Sequence, residues 1–205
     1  MKYTVILVLI FAGCKGFGKD AKPVHAFSAN DSLRNEFPAN KLDSLIKLAI
    51  VFNHGNGLNE EIVFFADLSM HSGLPRFAVV DLKQKKILKR GLVAHGCGAS
   101  LYAINASFSN KPNSNCSSLG KYKIGGKYKG QFGSAYKLHG LDKTNSNAYQ
   151  RAVVLHAYGC VPDVASYPVY TCNSKGCAMV SYKFLAALSA YIDGSEKPLL
   201  LWIVN

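Results

Sequence analysis

The sequence has few acidic residues. It contains 12 Asp and Glu against 24 Lys and Arg, which gives a formal net charge of +12. A chain this basic is attracted to polyanions in general, so nucleic acid, an anionic membrane surface and an acidic polymer are all compatible with the charge. The imbalance is strongest in residues 111–143, where seven Lys accompany one acid, Asp142. These Lys alternate with Gly, Tyr and Ser, which predicts the solvated face of a sheet that also helps to hold an acidic substrate.

The sequence also lacks internal repeats and long apolar runs. No segment recurs at a fixed period, which argues against a solenoid or a propeller. The N-terminal apolar run of about ten residues is far shorter than the roughly 20 that a membrane-spanning helix needs. The 205 residues are enough for one domain with a full hydrophobic core.

Residues 1–14 have the order of a short secretion signal: Lys2, an apolar run, then Phe11-Ala12-Gly13-Cys14. This ending resembles a bacterial lipobox, in which the cysteine is acylated and becomes the first residue after cleavage. We therefore expect an exported, periplasmic protein that Cys14 anchors to a bacterial membrane, most simply the outer membrane, with plain secretory cleavage as the alternative. Residues 15–30 are rich in Gly, Lys, Ala and Ser and predict a tether, which leaves residues 31–205 as the domain.

The rest of the chain predicts a mostly-β (α+β) domain, a sandwich or barrel with two supporting helices. Asn40 is expected to cap a first helix with an apolar stripe from Leu42 to Ile50, and Ser181 precedes a second helix. A hairpin turn is expected at residues 83–86. The predicted strands are short runs bounded by Gly, Pro, Asn or Asp, at residues 62–66, 76–82, 87–94, 122–124, 136–138, 152–155 and 199–204.

A cysteine and a histidine form the candidate catalytic pair. Cys177 ends the run Ser174-Lys175-Gly176-Cys177 just before the second helix, and His156 ends an apolar strand. A free thiol is mostly protonated at neutral pH, so an imidazole that takes its proton makes it a nucleophile. We expect an ion pair that lowers the pKa of Cys177 and raises that of His156. The backbone N–H groups of Gly176 and Cys177 are candidates for an oxyanion hole.

Several ordered motifs resemble the murein L,D-transpeptidase catalytic domain (YkuD-like) family. The similarity runs from about Ile62 to Val204. The motifs are S-K-G-C at residues 174–177, A-V-V-D-L at 78–82, V-A-H-G at 93–96, S-S-L-G at 117–120, L-H-G-L-D at 138–142 and A-V-V-L-H at 152–156. The resemblance implies an L,D-transpeptidase-like β-sandwich or barrel with Ser174 in the catalytic group.

The resemblance also implies a cysteine acyltransferase without a metal or organic cofactor. Cys177 would attack the bond before the D-Ala of a peptidoglycan tetrapeptide stem, and His156 would pass the thiol proton to the leaving amine. A neighbouring amine would then give a 3–3 cross-link, and water would give L,D-carboxypeptidase activity. We expect a monomer with no nucleic acid partner. Many relatives have His or Trp at Lys175 and Arg or Asn at Met179, so an inactive wall-binding lipoprotein of the same fold stays open.

The other cysteines favour disulfides in an exported chain. We favour Cys160 with Cys172 and Cys97 with Cys116, because each pair is close in sequence, although free buried thiols are the alternative.

A zinc-stabilised module is a competing interpretation, since four residues are zinc ligand types at tolerable spacing: His156, Cys160, Cys172 and Cys177. His95 and His139 each lie beside Gly at a predicted strand end. They are either structural histidines or residues that contact the catalytic pair and help to position the thiol.

Overall fold

The computed structural model describes residues 37–205. The predicted signal, its Cys14 and the tether lie outside the described residues. Within residues 37–205 there is no helix both long enough and apolar enough to cross a bilayer.

Among the described residues, eight strands form one mixed sheet. They are β1 (Ile62–Asp67), β2 (Phe77–Asp81), β3 (Lys86–Gly91), β4 (Gly120–Gly130), β5 (Gly133–Gly140), β6 (Val154–Ala157), β7 (Ala178–Val180) and β8 (Leu200–Val204). Their order across the sheet is β3-β2-β1-β8-β4-β5-β6-β7. The pairs β1–β8 and β6–β7 run parallel, whereas all other neighbours are antiparallel.

The sheet curls until its two edges approach each other. Ala94, which follows β3, donates its N–H to the carbonyl of Met179 in β7 at 2.8 Å, although β3 and β7 end the strand order on opposite sides. The cluster enclosed by this curl takes buried side chains from every strand except β3, among them Phe64, Tyr122 and Leu155. The predicted mostly-β domain with two helices is therefore confirmed, as one curled sheet.

The second helix, α2 (Tyr182–Asp193), closes this inner core. The Ser181 hydroxyl accepts a hydrogen bond from the N–H of Phe184 at 3.1 Å, which satisfies one of the free donors of the first turn. Phe184, Leu185 and Leu188 then pack into the inner cluster. The helix predicted to begin after Ser181 is thus confirmed.

The first helix, α1 (Ala39–Gly55), covers part of the outer face of the sheet. Its buried Leu45, Ile46 and Ala49 pack on Val63 and Phe65 of β1 in a second cluster. Because successive side chains of a strand point to opposite faces, Phe64 and Ala66 of the same strand enter the inner cluster. The sheet therefore has an inner face around the main core and an outer face that α1 covers only in part.

The start of α1 differs from the prediction. Asn40 lies inside the first turn, and the cap position belongs to Pro38, whose carbonyl accepts the N–H of Leu42 at 2.9 Å. The Asn40 side chain accepts instead from the N–H of Lys41 at 2.8 Å. The predicted stripe also ends early, because Ile50 is 39% exposed.

Two strands are longer than the sequence indicated, and one was not predicted. β4 and β5 extend well beyond residues 122–124 and 136–138, because their Lys and Gly positions interrupt the apolar alternation without interrupting the backbone pairing. β7 has only three residues and directly follows the nucleophile candidate. A run of three residues is too short to show the alternation of apolar and polar side chains that would distinguish a strand from the segment before α2.

Truncation of Leu188 tests the role of α2 in the inner core. The Leu188 side chain is fully buried (0% exposed), whereas Leu48 of α1 is 56% exposed. Leu188→Ala should lower the free energy of unfolding by about 2–5 kcal/mol through lost burial and a residual cavity. Leu48→Ala is the matched control and should change it by less than about 0.5 kcal/mol. Urea unfolding followed by circular dichroism measures both, and equal effects would contradict this packing.

Candidate active site

The pairing of β6 with β7 places His156 and Cys177 on the outer face of the sheet. Leu155 is opposite Ala178 and His156 is opposite Met179 in this parallel pair. Leu155 and Ala178 belong to the inner core. Since side chains alternate between faces, His156 and Cys177 point the other way.

Both side chains open onto one cavity of about 550 Å³. Ser174 and Lys175 line it beside Cys177, and aromatic rings line it beside His156. The Phe132 ring, at the tip of the β4–β5 hairpin, stacks on the His156 ring with centroids 4.8 Å apart, and Tyr158 meets Phe132 edge-on at 5.7 Å. The structure therefore brings the predicted pair together in a cavity with an apolar wall that sequence reasoning missed.

The hydrogen bond of His156 fixes which ring nitrogen can act as a base. Its Nδ1 lies 3.1 Å from the carbonyl oxygen of Ala157. A carbonyl only accepts, so Nδ1 must carry the proton and Nε2 keeps the free lone pair. Burial lowers the pKa of His156, so the ring is neutral at pH 7 and ready to accept a proton.

Cys177 is a neutral thiol in this arrangement. Its S–H points to the Ala152 carbonyl at an S···O distance of 3.8 Å. Burial raises the pKa of Cys177, and a hydrogen bond from the Val154 backbone and the positive charge of Arg151 only partly oppose this. The expected thiolate–imidazolium pair is therefore wrong for the resting protein, because desolvation disfavours both charged forms.

Ser174 shapes the turn of residues 174–177, which ends at the candidate nucleophile Cys177 and is called the nucleophile turn. Its hydroxyl accepts the N–H of Gly176 at 3.1 Å and donates to the carbonyl of Cys177 at 2.7 Å. Both bonds stay within residues 174–177, so the Ser174 side chain holds the turn. The Gly176 N–H, one of the two expected oxyanion donors, is already used by this bond.

Gly176 is required in this turn for two reasons. Its φ of +108° lies in a region that residues with a side chain rarely adopt. A Cβ there would lie 2.8 Å from the Cys116 carbonyl oxygen and 3.2 Å from Nη2 of Arg151.

Arg151 packs against the nucleophile turn at Gly176. The sequence did not predict this contact. Its guanidinium donates to the carbonyls of Ser109 at 2.8 Å and Cys116 at 2.6 Å, and to the Ser118 hydroxyl at 3.1 Å. The same group packs under Gly176. Arg151 thereby joins the 109–118 segment to the turn and also places a positive charge near the thiol.

Comparison with known proteins identifies the family of the chain. The family model described as the L,D-transpeptidase catalytic domain (YkuD_2) matches residues 35–201. The chain belongs to this L,D-transpeptidase catalytic domain family. No curated protein matches the sequence at a significant level.

Solved structures resemble the chain only distantly. Bd1075 of Bdellovibrio bacteriovorus is 13% identical with a TM-score of 0.44, over 70% of this chain and 47% of that one. The helical cell shape determining protein Pgp2 of Campylobacter jejuni is 12% identical with a TM-score of 0.41, over 70% and 47%. L,D-transpeptidase 3 of Mycobacterium tuberculosis, in complex with a faropenem-derived adduct, is 13% identical with a TM-score of 0.36, over 71% and 60%. The chain thus spans about half the length of the first two.

Lys175 and Met179, two positions that depart from the L,D-transpeptidase pattern, have different environments. Lys175 is exposed at the rim of the cavity. Met179 is only 4% exposed and packs with Leu92, Ala94 and Val161 in a small cluster, and it also lines the cavity. Met179 therefore has a packing role in this L,D-transpeptidase domain.

One of the two expected disulfides is present in the structure. Cys160 and Cys172 form a disulfide in the structure. Cys97 and Cys116 are free thiols, so the bond expected between them is absent. The Cys116 thiol turns instead towards the Ser107 hydroxyl and the Ser114 carbonyl, both at 3.4 Å, whereas Cys97 lines the cavity.

The zinc interpretation fails for the described residues. No group of three or more His, Cys, Asp or Glu side chains in residues 37–205 is arranged to hold a metal ion. Two of the four expected ligands, Cys160 and Cys172, are bonded to each other, so neither offers a thiolate.

The two histidines for which the sequence left a structural or a supporting role open, His95 and His139, occupy different places. His95 accepts a hydrogen bond from Arg76 at Nδ1 (2.8 Å) and donates from Nε2 to the Ala103 carbonyl (3.1 Å). Burial, with help from the charge of Arg76, lowers the pKa of His95 to about 4. Its backbone carbonyl accepts the Ser174 N–H at 2.9 Å, so His95 reaches the nucleophile turn through its backbone. His139 stacks on Tyr149 and does not line the cavity.

The resting state of the pair predicts a specific pH dependence. Because burial raises the pKa of Cys177 above its ordinary value of about 9, iodoacetamide should alkylate the ligand-free protein slowly at pH 6–8 and faster as the pH rises past 9. Mass spectrometry of the Cys177 peptide gives the rate at each pH. His156→Ala should leave this profile nearly unchanged, because the neutral imidazole does not stabilise the thiolate. A plateau between pH 6 and 8 that His156→Ala abolishes would show a resting ion pair instead.

Proposed function

We propose that the protein is a cysteine-dependent L,D-transpeptidase that acts on peptidoglycan stem peptides through a thioester acyl-enzyme. The proposal rests on one observation. The Cys177 thiol and the neutral His156 ring, whose Nε2 is free, line the same cavity in a domain of this family.

In the proposed acylation, the stem peptide displaces water from the cavity and places the carbonyl carbon before D-Ala next to Cys177. Nε2 of His156 takes the thiol proton as the sulfur forms its bond to that carbon. The C–N bond then breaks, and the proton passes from His156 to the amine of the departing D-Ala. The products are free D-Ala and a thioester on Cys177.

In the proposed second step, an amine of a neighbouring stem attacks the thioester and gives a 3–3 cross-link. His156 now accepts a proton from that amine and returns one to the Cys177 sulfur. Water in place of the amine gives L,D-carboxypeptidase activity by the same proton transfers.

The oxyanion formed in both steps needs a donor, and we assign the N–H of Cys177 to this role. The turn geometry supports the choice, because the Gly176 N–H is already bonded to the Ser174 hydroxyl. A donor held by a fixed turn needs no rearrangement when the negative charge develops.

The proposed substrate lies outside the cytoplasm, so we also propose export and lipid anchoring at Cys14. The intact mass of the membrane-extracted protein tests this. A chain that starts at Cys14 and carries acyl mass is expected, and an unprocessed chain that starts at Met1 would contradict it.

Release of D-Ala tests the proposed chemistry. The purified protein should release D-Ala from a disaccharide tetrapeptide, and chromatography with mass spectrometry should identify a tripeptide or a 3–3 dimer as the product. Cys177→Ala should abolish release, because no thioester can form. Cys116→Ser is the matched thiol control and should retain activity. His156→Ala should slow release by about 10²- to 10⁴-fold, the usual loss when a general base is removed.

Two outcomes would contradict the proposal. Turnover by folded Cys177→Ala would falsify the nucleophile assignment. Wall binding by the wild-type protein without release of D-Ala would favour the inactive wall-binding alternative.

A further inference from the structure

A basic aromatic surface continues from the candidate active site along the outer face of the sheet. It consists of Lys123 and Tyr128 of β4, Lys137 and His139 of β5, and Tyr149 of the following loop, and we call it the basic strip. Lys123 is opposite His139 in the β4–β5 pair. The residues next to them in each strand, Ile124 and Leu138, belong to the inner core, so the strip points outwards.

The two tyrosine rings hold the ammonium group of Lys137 in place. Its Nζ lies 5.3 Å from the ring centroid of Tyr149 and 5.9 Å from that of Tyr128. It is also 3.4 Å from the Tyr149 hydroxyl. The His139 ring stacks on Tyr149, with ring centroids 5.1 Å apart. A cation held by aromatic rings loses less conformational freedom when an anion binds.

Within residues 37–205, no acidic residue neutralises the charge of the strip. Two other lysines of β4 form salt bridges, Lys121 with Asp142 at 2.9 Å and Lys127 with Asp193 at 2.7 Å. Lys123 and Lys137 have no carboxylate within 4.0 Å in the part of the chain that the structure describes. Burial lowers the pKa of His139, and the charges of Lys123 and Lys137 lower it further, so this ring adds no charge at pH 7.

The strip and the nucleophile are aligned across three strands. Lys137 is opposite Val154. The β6–β7 pair begins with Leu155 opposite Ala178, so Val154 and Cys177 are the residues just before that pair, and the Val154 backbone hydrogen-bonds the Cys177 thiol. Neighbouring strands are about 4.8 Å apart, so Lys137 is about 10 Å from Cys177 along the same face. An extended peptide rises about 3.3 Å per residue. A substrate carboxylate about three residues from the bond at Cys177 would therefore reach the strip.

We propose that the basic strip binds a carboxylate of the peptidoglycan stem whose scissile bond lies at Cys177. The proposal rests on the proposed function, since it takes that bond as the fixed point of the substrate. The ligand must be anionic, because two uncompensated ammonium groups face it. It must also be part of an extended chain that spans the distance from the nucleophile to the strip.

A double variant, Lys123→Gln with Lys137→Gln, removes the charge of the strip. KM for a tetrapeptide with free carboxylates should rise about three- to tenfold with kcat unchanged, as expected for two partly exposed charge contacts. The matched control is Lys83→Gln with Lys86→Gln at the β2–β3 hairpin, which should leave both constants unchanged. Lys123→Arg with Lys137→Arg should restore most of the loss. An unchanged KM in the Gln variant would overturn the proposal.

The nature of the anion is tested by amidation of the stem carboxylates. The wild-type protein should bind the amidated stem as weakly as the Gln variant binds the free acid, and the Gln variant should show no further loss. An equal effect of the Gln variant on both stems would contradict carboxylate recognition.

Binding of the stem to an inactive variant tests the strip separately from the proposed catalysis. Fluorescence anisotropy with a labelled stem measures binding to Cys177→Ala protein, in which turnover is not needed. Binding that falls on addition of the Gln substitutions supports the strip even if D-Ala release is never seen. Binding that stays unchanged overturns the strip even if the enzyme is active.

Discussion

The site depends on the alternation of side chains in the parallel pair of β6 and β7. Leu155 and Ala178 are drawn into the inner core, and this burial fixes the register of the two strands. The same register turns His156 and Cys177 outwards at neighbouring positions. A slip by one residue would turn His156 into the inner core and Leu155 to the outer face, so the hydrophobic effect indirectly sets the geometry of the candidate pair.

The surroundings of this pair keep both groups neutral until a substrate arrives. Burial raises the pKa of Cys177 and lowers that of His156, while the Ala157 carbonyl holds the ring with Nε2 free. The nucleophile turn is fixed by Ser174 within it and by Arg151 behind it. The candidate site is therefore fixed in position but not ionised, and in the proposed mechanism proton transfer accompanies attack on the carbonyl.

The features that could be predicted from the sequence are those that depend on the local order of residues. The Ser181 cap, the apolar face of α2 and most strand cores could be recognised from periodicity and capping residues. The family, and with it a mostly-β domain described as a sandwich or barrel, was predicted from ordered motifs. Contacts between distant segments could not be predicted, such as the stacking of Phe132 on His156 or the brace from Arg151, because no local pattern records them. The expected ion pair was wrong because desolvation depends on the folded surroundings.

In the proposed reaction Cys177, rather than another cavity residue, carries the acyl group. Rapid quenching of the protein with a stem tetrapeptide, followed by intact mass and peptide mapping, tests it most directly. A mass increase equal to the stem minus D-Ala, located on the Cys177 peptide and removed by hydroxylamine, is the predicted result. An adduct on Cys97, which lines the same cavity, or turnover without any covalent adduct would contradict the account.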